Sequence, residues 1–140
     1  MKTTTVVILT PEREITLSEI RSLVIECPDG KRGILPGHAP SIVELAIGVM
    51  RCTTKEGEEL YFALGGGVAE IMPNKVLLVV HSAEEAHEID VERAKEATLR
   101  AKRRLEEHTP GIDFARAQAA LLRSLARLKA TEISQKPRKG

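Results

Sequence analysis

Six arginines repeat at one spacing in two stretches of this 140-residue sequence. Arg93, Arg100 and Arg104 stand at i, i+7 and i+11, and so do Arg116, Arg123 and Arg127. On a helix turning roughly 100° per residue, these offsets fall within about 40° of one another, so each stretch carries a basic stripe. A guanidinium is planar, permanently charged and forked to match phosphate or carboxylate. The stripes therefore suit a nucleotide phosphate or an acidic protein surface. The plainer alternative is a solvated face with Glu92, Glu96 and Glu107 as surface partners. Nucleic acid is the third reading. Against it, no aromatic residues interleave the stripe, no recognised DNA- or RNA-binding motif is present, and the chain's net charge is only +1.

Other chemistry finds less support. No Ser sits in a G-x-S-x-G elbow, so a nucleophile triad is not indicated. His38, His81, His87 and His108 do not share ligand spacing with cysteines or carboxylates, and no metal site is expected. Gly65-Gly66-Gly67 leads into Val68-Ala69-Glu70-Ile71, which reads as a strand. A phosphate-cradling loop would lead into a helix, so these glycines imply a bulge or close backbone packing. Gly30-Lys31 lacks the P-loop spacing. Cys27 and Cys52 form no C-x-x-C pair and read as two reduced thiols near strand ends.

Two kinds of element must position these residues. Up to about residue 84, short apolar or alternating runs are separated by turn signals. Thr4–Leu9 is β-branched, Thr10-Pro11-Glu12-Arg13-Glu14 turns, and residues 15–17 and 21–26 alternate. Residues 42–47 are apolar until Gly48, residues 49–54 and 59–64 flank the turn at Lys55-Glu56-Gly57, and residues 68–72 and 75–81 follow. That pattern predicts an antiparallel β-sandwich or flattened barrel. After an acidic connector at 85–89, Asp90 is placed to cap a helix over 91–107. His108-Thr109-Pro110-Gly111 ends it, Asp113 caps again, and a second helix runs from Phe114 to about Ala130. So short a connection makes the helices antiparallel neighbours. The expected organisation is α+β: a sandwich over 1–84, a connector over 85–89, a hairpin over 90–133 and a basic tail over 134–140. Charge divides the same way, with 8 Lys+Arg and 13 Asp+Glu in residues 1–89 against 13 and 7 in residues 90–140. The Ala-rich seam beside the arginines gives up about 0.8 kcal/mol for each missing CH₂, which predicts a marginally held hairpin. No apolar run approaches the roughly 18 residues of a membrane span, and residues 1–5 lack a signal-peptide core. Cytosolic residence, or attachment to a membrane machine through other subunits, is expected.

One stretch is neither strand nor helix. Gly33-Ile34-Leu35-Pro36-Gly37-His38-Ala39-Pro40 has two prolines that remove donors and a glycine suited to positive φ. It predicts a stiff loop presenting Ile34, Leu35 and His38, with His38 either hydrogen-bonding within the loop or meeting a partner. Together with Gly30, it resembles the signature loop of the epsilon subunit of F-type ATP synthases. The residues 10–14 turn, the glycines before Val68 and the Ile89-Asp90-Val91-Glu92-Arg93-Ala94 start of the first helix resemble their counterparts in that family. Val68 stands where many members carry Phe, and residues 15–20 lack a glycine often found there.

The resemblance implies a non-catalytic subunit of the rotating central stalk in a proton-translocating enzyme. It would lie peripheral to the cytoplasmic side of a bacterial cell membrane. Its partners would be the gamma subunit, the ring of c subunits and the alpha/beta catalytic head, with no nucleic acid. Ile34, Leu35, Gly37 and His38 become candidate contacts to gamma and the c-ring. The hairpin becomes an inhibitor of ATP hydrolysis, folded on the β domain or extended with Arg104, Arg116, Arg123 and Arg127 against a beta subunit. Some members bind ATP as a regulatory ligand, and no cofactor is required. The matching positions are Ile89, Asp90, Arg93, Ala94, Arg100, Arg123 and Arg127.

Overall fold

The alternating runs of the first 85 residues pair into one twisted sheet that closes on itself. The structure is a computed structural model that describes residues 2–107 and 113–136. Among these, seven strands precede two helices: β1 Thr4–Leu9, β2 Glu14–Cys27, β3 Gly30–Ile34, β4 Ser41–Thr54, β5 Glu59–Met72, β6 Lys75–Val80 and β7 Ala83–Glu85, then α1 Val91–Glu107 and α2 Phe114–Gln135. The hydrogen-bonded order is β1-β6-β5-β4-β2-β3, and β1 also pairs with β2. Strands β1, β6, β5, β4 and β2 thus form a flattened barrel, with β3 beside β2 and β7 on β5. Val6, Ile8, Ile20, Leu23, Ile25, Met50, Phe62, Ile71 and Leu78 fill it. Aliphatic side chains, with Met50 and the single aromatic Phe62, fill the limited space inside the closed sheet.

The expected α+β architecture is what the chain adopts, with several refinements. β1 and β6 run parallel, while the other pairs are antiparallel. The runs expected over 15–17 and 21–26 are one strand, irregular near Glu19, whose φ is +53°. The connector is partly structured: β7 pairs with β5, and a 3₁₀ turn covers Ala86–Glu88. Helix α2 extends five residues beyond the expected end at Ala130. The expected turn at 108–111 and the end of the tail, 137–140, lie outside the described residues.

Neither Gly48 nor the triglycine ends a strand. β4 and β5 keep one register throughout, from Ser41↔Ile71 to Thr53↔Glu59. What changes is the buried face. Phe62 and Leu64 point inward before the glycines, and Ala69 and Ile71 after them, an odd interval. Gly66 at φ +87° and Gly67 at φ +154° permit that change. A Cβ on Gly67 would lie 2.0 Å from the Val79 carbonyl oxygen, and one on Gly65 would lie 2.3 Å from Ser82 Oγ. The glycines are therefore sites of close strand approach, one of the two structural roles expected of them.

The seat of the hairpin lies to one side of that change of face. Ile47 and Val49 of β4 turn outward with Tyr61 and Ala63 of β5. Ala86, Ile89, Ala94, Ala126, Leu128 and Ala130 cover them. Helix α2 lies on β4 and β5, and α1 packs chiefly on α2. The buried positions of the helices are small: Ala94, Thr98 and Ala101 on α1, and Ala117, Ser124, Ala126, Ala130 and Thr131 on α2. Each buried hydroxyl donates within its own helix: Thr98 to Ala94 O (2.8 Å), Ser124 to Leu121 O (2.9 Å) and Thr131 to Leu128 O (2.8 Å). Two ion pairs tie α2 to the sandwich, Arg127 Nε–Glu84 Oε1 at 2.6 Å and Lys129 Nζ–Glu26 Oε1 at 3.6 Å. Glu26 also accepts from the Val49 backbone N–H, lying across Gly48, where a Cβ would meet its carboxylate at 2.0 Å.

Replacing Gly67 with Ala forces backbone against backbone, and we expect a loss of about 2–3 kcal/mol in chemical denaturation. The two free cysteines are buried. Burial pushes the Cys52 thiol up to about 12 and raises that of Cys27. At pH 8 the folded chain thus holds almost no thiolate, and a thiol-reactive dye should label both cysteines only after denaturant is added.

Candidate functional site

Asp90 and Asp113 cap the two helices as expected. Asp90 Oδ1 accepts from Arg93 N at 3.1 Å, and Asp113 Oδ1 accepts from Arg116 N at 3.1 Å. Each carboxylate satisfies a donor that the first helical turn leaves unpaired. The same cap therefore starts both helices, and Asp90 and Arg93 of the first line a cavity that Asp113 and Arg116 of the second do not.

That cavity lies at the root of the hairpin. A groove of about 370 Å³ is lined by Glu84, Glu88, Ile89, Asp90, Arg93, Ala94, Ala97, Arg100 and Arg127. A second, of about 310 Å³, adjoins it between the helices and is lined by Ala97, Arg100, Ala101, Arg104, Ala117, Ala120, Arg123 and Arg127. Ala97, Arg100 and Arg127 belong to both. Alanine walls account for the space: a larger seam residue would fill the cleft that the guanidinium groups surround. Each volume falls in the range usual for small-ligand sites.

The structure thus brings Ile89, Asp90, Arg93, Ala94, Arg100, Arg123 and Arg127 to one pair of joined grooves, and Arg104 with them. Arg116 lines neither and is exposed at the start of α2. Arg127 is engaged by Glu84. Among the described residues, Arg93, Arg100, Arg104 and Arg123 make no ion pair. Four cationic forks line the two joined grooves; of the three carboxylates there, Glu84 is paired with Arg127, Glu88 with Arg13, and Asp90 caps α1, which leaves an arrangement for an anion bearing several oxygens. Among the described residues, no cluster of His, Cys, Asp and Glu is suited to a metal ion.

Two groove residues, Glu84 and Glu88, lay unnoticed in the acidic connector. Glu84 faces the groove because β7 pairs with β5, with Ala63 opposite Glu84, and Glu88 does so from the 3₁₀ turn that follows; a long-range pairing of so short a strand leaves no periodicity to read. Glu88 is further held by Arg13, whose Nη1 donates to Glu88 Oε2 at 2.9 Å. That hydrogen bond is the main cause holding the Glu88 carboxyl below its ordinary value.

The proline-rich loop is separate and lines neither groove. Gly37 has the positive φ expected of it, +87°, and donates its N–H to Pro73 O at 2.7 Å. Leu35 projects, 65% exposed, and His38 Nδ1 lies 2.7 Å from Ala39 O. Ile34 departs from its expected place on the contact surface. It pairs with Leu23 at the end of β3, is 1% exposed, and anchors the loop in the barrel core.

Comparison with known proteins follows the same division of the chain. Residues 3–86 match the family model described as ATP synthase, Delta/Epsilon chain, beta-sandwich domain, and residues 87–132 match the long alpha-helix domain of the same chain. The ATP synthase epsilon chain of Moorella thermoacetica is 46% identical over 123 residues, covering 88% of this chain and 92% of that one. That of Bacillus cytotoxicus is 39% identical, covering 95% and 99%. Among solved structures, one chain of the Euglena gracilis mitochondrial ATP synthase OSCP/F1/c-ring assembly shares the fold, with a TM-score of 0.73 at 20% identity over 96% of this chain and 82% of that one. Sandwich, hairpin and their order all agree, and the chain belongs to the ATP synthase delta/epsilon family, among its epsilon chains.

Proposed function

We propose that this chain is a non-catalytic rotor subunit of a proton-translocating F-type ATP synthase. The sandwich would join the gamma subunit to the c-ring, using Leu35, Gly37 and His38 of the proline-rich loop. Ile34 supports that surface from within. The complex would hold the subunit at the cytoplasmic side of a bacterial cell membrane without a span of its own. Among the described residues, no helix is long and apolar enough to cross a membrane.

The hairpin would act as the regulatory element. In the folded pose seen here it lies on β4 and β5. In an extended pose, Arg104, Arg116, Arg123 and Arg127 would meet acidic residues of a beta subunit and hinder hydrolysis. ATP, bound and not hydrolysed, would favour the folded pose by occupying the joined grooves, with Arg93, Arg100, Arg123 and Arg127 on its phosphates and Asp90 toward the nucleoside. A ligand shifts such an equilibrium only by its differential affinity for the two poses. The observation that carries this reading is that, with the helices side by side on the sandwich, Arg93, Arg100 and Arg104 of one stripe and Arg123 and Arg127 of the other line two joined grooves. Extending the hairpin would remove Glu84 and Arg127 from each other and open the groove.

Calorimetric titration of ATP into the full chain should give saturable heat, and Arg123→Ala should weaken binding at least about tenfold, the size of one charge-assisted contact. Adding the chain to a catalytic head complex that lacks it should slow ATP hydrolysis, and a chain ending at residue 89 should not. Absence of heat at millimolar ATP would confine the arginines to protein contacts. Unchanged hydrolysis would remove the inhibitory role.

A further inference from the structure

Arg13 sits far from the hairpin in sequence but touches its root. The turn that presents it is ordered by Thr10, whose Oγ1 accepts from Glu12 N (3.2 Å) and Arg13 N (3.0 Å) and donates to Arg13 O (3.2 Å). The Thr10 N–H also donates to Arg13 O at 2.9 Å. From this fixed base, Nη2 of Arg13 donates to Ala83 O at 2.6 Å and to Glu88 Oε1 at 3.2 Å, while Nη1 donates to Glu88 Oε2 at 2.9 Å. One guanidinium thus spans both ends of the segment 83–88. Glu88 Oε1 in turn accepts from the Glu85 N–H at 3.2 Å.

The segment is held on its other side as well. Ala83, Glu84 and Glu85 pair with Leu64, Ala63 and Phe62 of β5. Restraint of this kind ends at Glu88. Ile89 is fixed by burial and by one short-range bond from its N–H to Ala86 O at 3.2 Å, and Asp90 is exposed with its side chain in the α1 cap. A hinge forms where a few residues at the end of an element can absorb a change in φ and ψ while their neighbours stay fixed.

We infer that Arg13 is a positioning residue: through Glu88 it anchors the root of the hairpin to the sandwich, places the pivot at Ile89–Asp90, and keeps Glu84 and Glu88 as a standing wall of the groove. This rests on the proposed mobility of the hairpin and deepens it by naming the fixed and moving parts. The anchor has a charge requirement. Arg13, Glu84, Glu85 and His87 surround Glu88, and Arg13 is the chief influence, holding its carboxyl below the usual 4.5. Such a group stabilises fully above the ordinary carboxylate range, and its contribution is lost as pH falls through the depressed value.

Hydrogen exchange on the full chain, without nucleotide, tests the anchor. In Arg13→Ala, the protection of the Glu85 and Ile89 amides should fall about tenfold, with β4 and β5 unaffected, as expected for loss of a bidentate charged contact. Arg13→Lys should recover part of it. In the parent chain the Ile89 protection factor should drop on acidification through the Glu88 titration, and in Glu88→Gln it should be lower and flat with pH. Unchanged Ile89 protection in both Arg13→Ala and Glu88→Gln would overturn the inference. If Ile89 responds as expected but no variant or parent gives heat with ATP, the anchor stands and the nucleotide reading falls.

Discussion

Everything at the foot of this molecule depends on how α2 rests on the sheet. The contact is made by alanines, one leucine and two ion pairs, against Ile47, Val49, Tyr61 and Ala63. Alanine brings helix and strand close but removes little apolar surface from water. The ion pairs are partly exposed and so contribute modestly and less as salt rises. The barrel is different: Ile, Leu, Val and Phe side chains are fully enclosed, and the sheet closes on itself. One chain therefore contains a unit held firmly and an appendage held lightly, with opposite net charge on the two. The opposite charges favour docking without fixing it.

The seat itself is bounded by the triglycine. Ile47, Val49, Tyr61 and Ala63 share one outward face by ordinary alternation, and the change of buried face at Gly66 and Gly67 ends that face. Beyond the glycines the same outer face carries Ile42, Glu44, Val68 and Glu70, of which Ile42 and Val68 remain exposed. Backbone freedom at Gly66 and Gly67 thus divides the sheet into a stretch that α2 covers and a stretch left for other surfaces.

Much of this was legible in the residues. Short apolar or alternating runs between turn signals gave the strands from Thr4 onward, and the capping aspartates with the i, i+7, i+11 arginines located both helices and their basic faces. The arginines could be assigned to one groove only after the helices were paired, and that pairing follows from local caps and a short turn. What escaped reading depends on distant partners. Glu84 became a groove residue through a three-residue strand and Glu88 through the turn that follows it, and Arg13 meets Glu88 by a contact across 75 residues of chain. Ile34 was misplaced because a loop motif does not tell which of its apolar side chains turns inward. Gly48 and the triglycine read as breaks, since sequence shows the absence of a side chain but not the neighbour that requires it.

The hydroxyls of the hairpin have a further consequence. Thr98, Ser124 and Thr131 are buried, and each bonds to a carbonyl one turn back in its own helix. A buried donor that depended on the opposite surface would be orphaned when the surfaces part, at a cost well above the bond's net worth. Here the polar groups keep their partners wherever the helices go. Among the described residues, the interface can be left and rejoined with apolar contact and two partly exposed ion pairs chiefly at stake, which makes it a separable joint built into a single polypeptide.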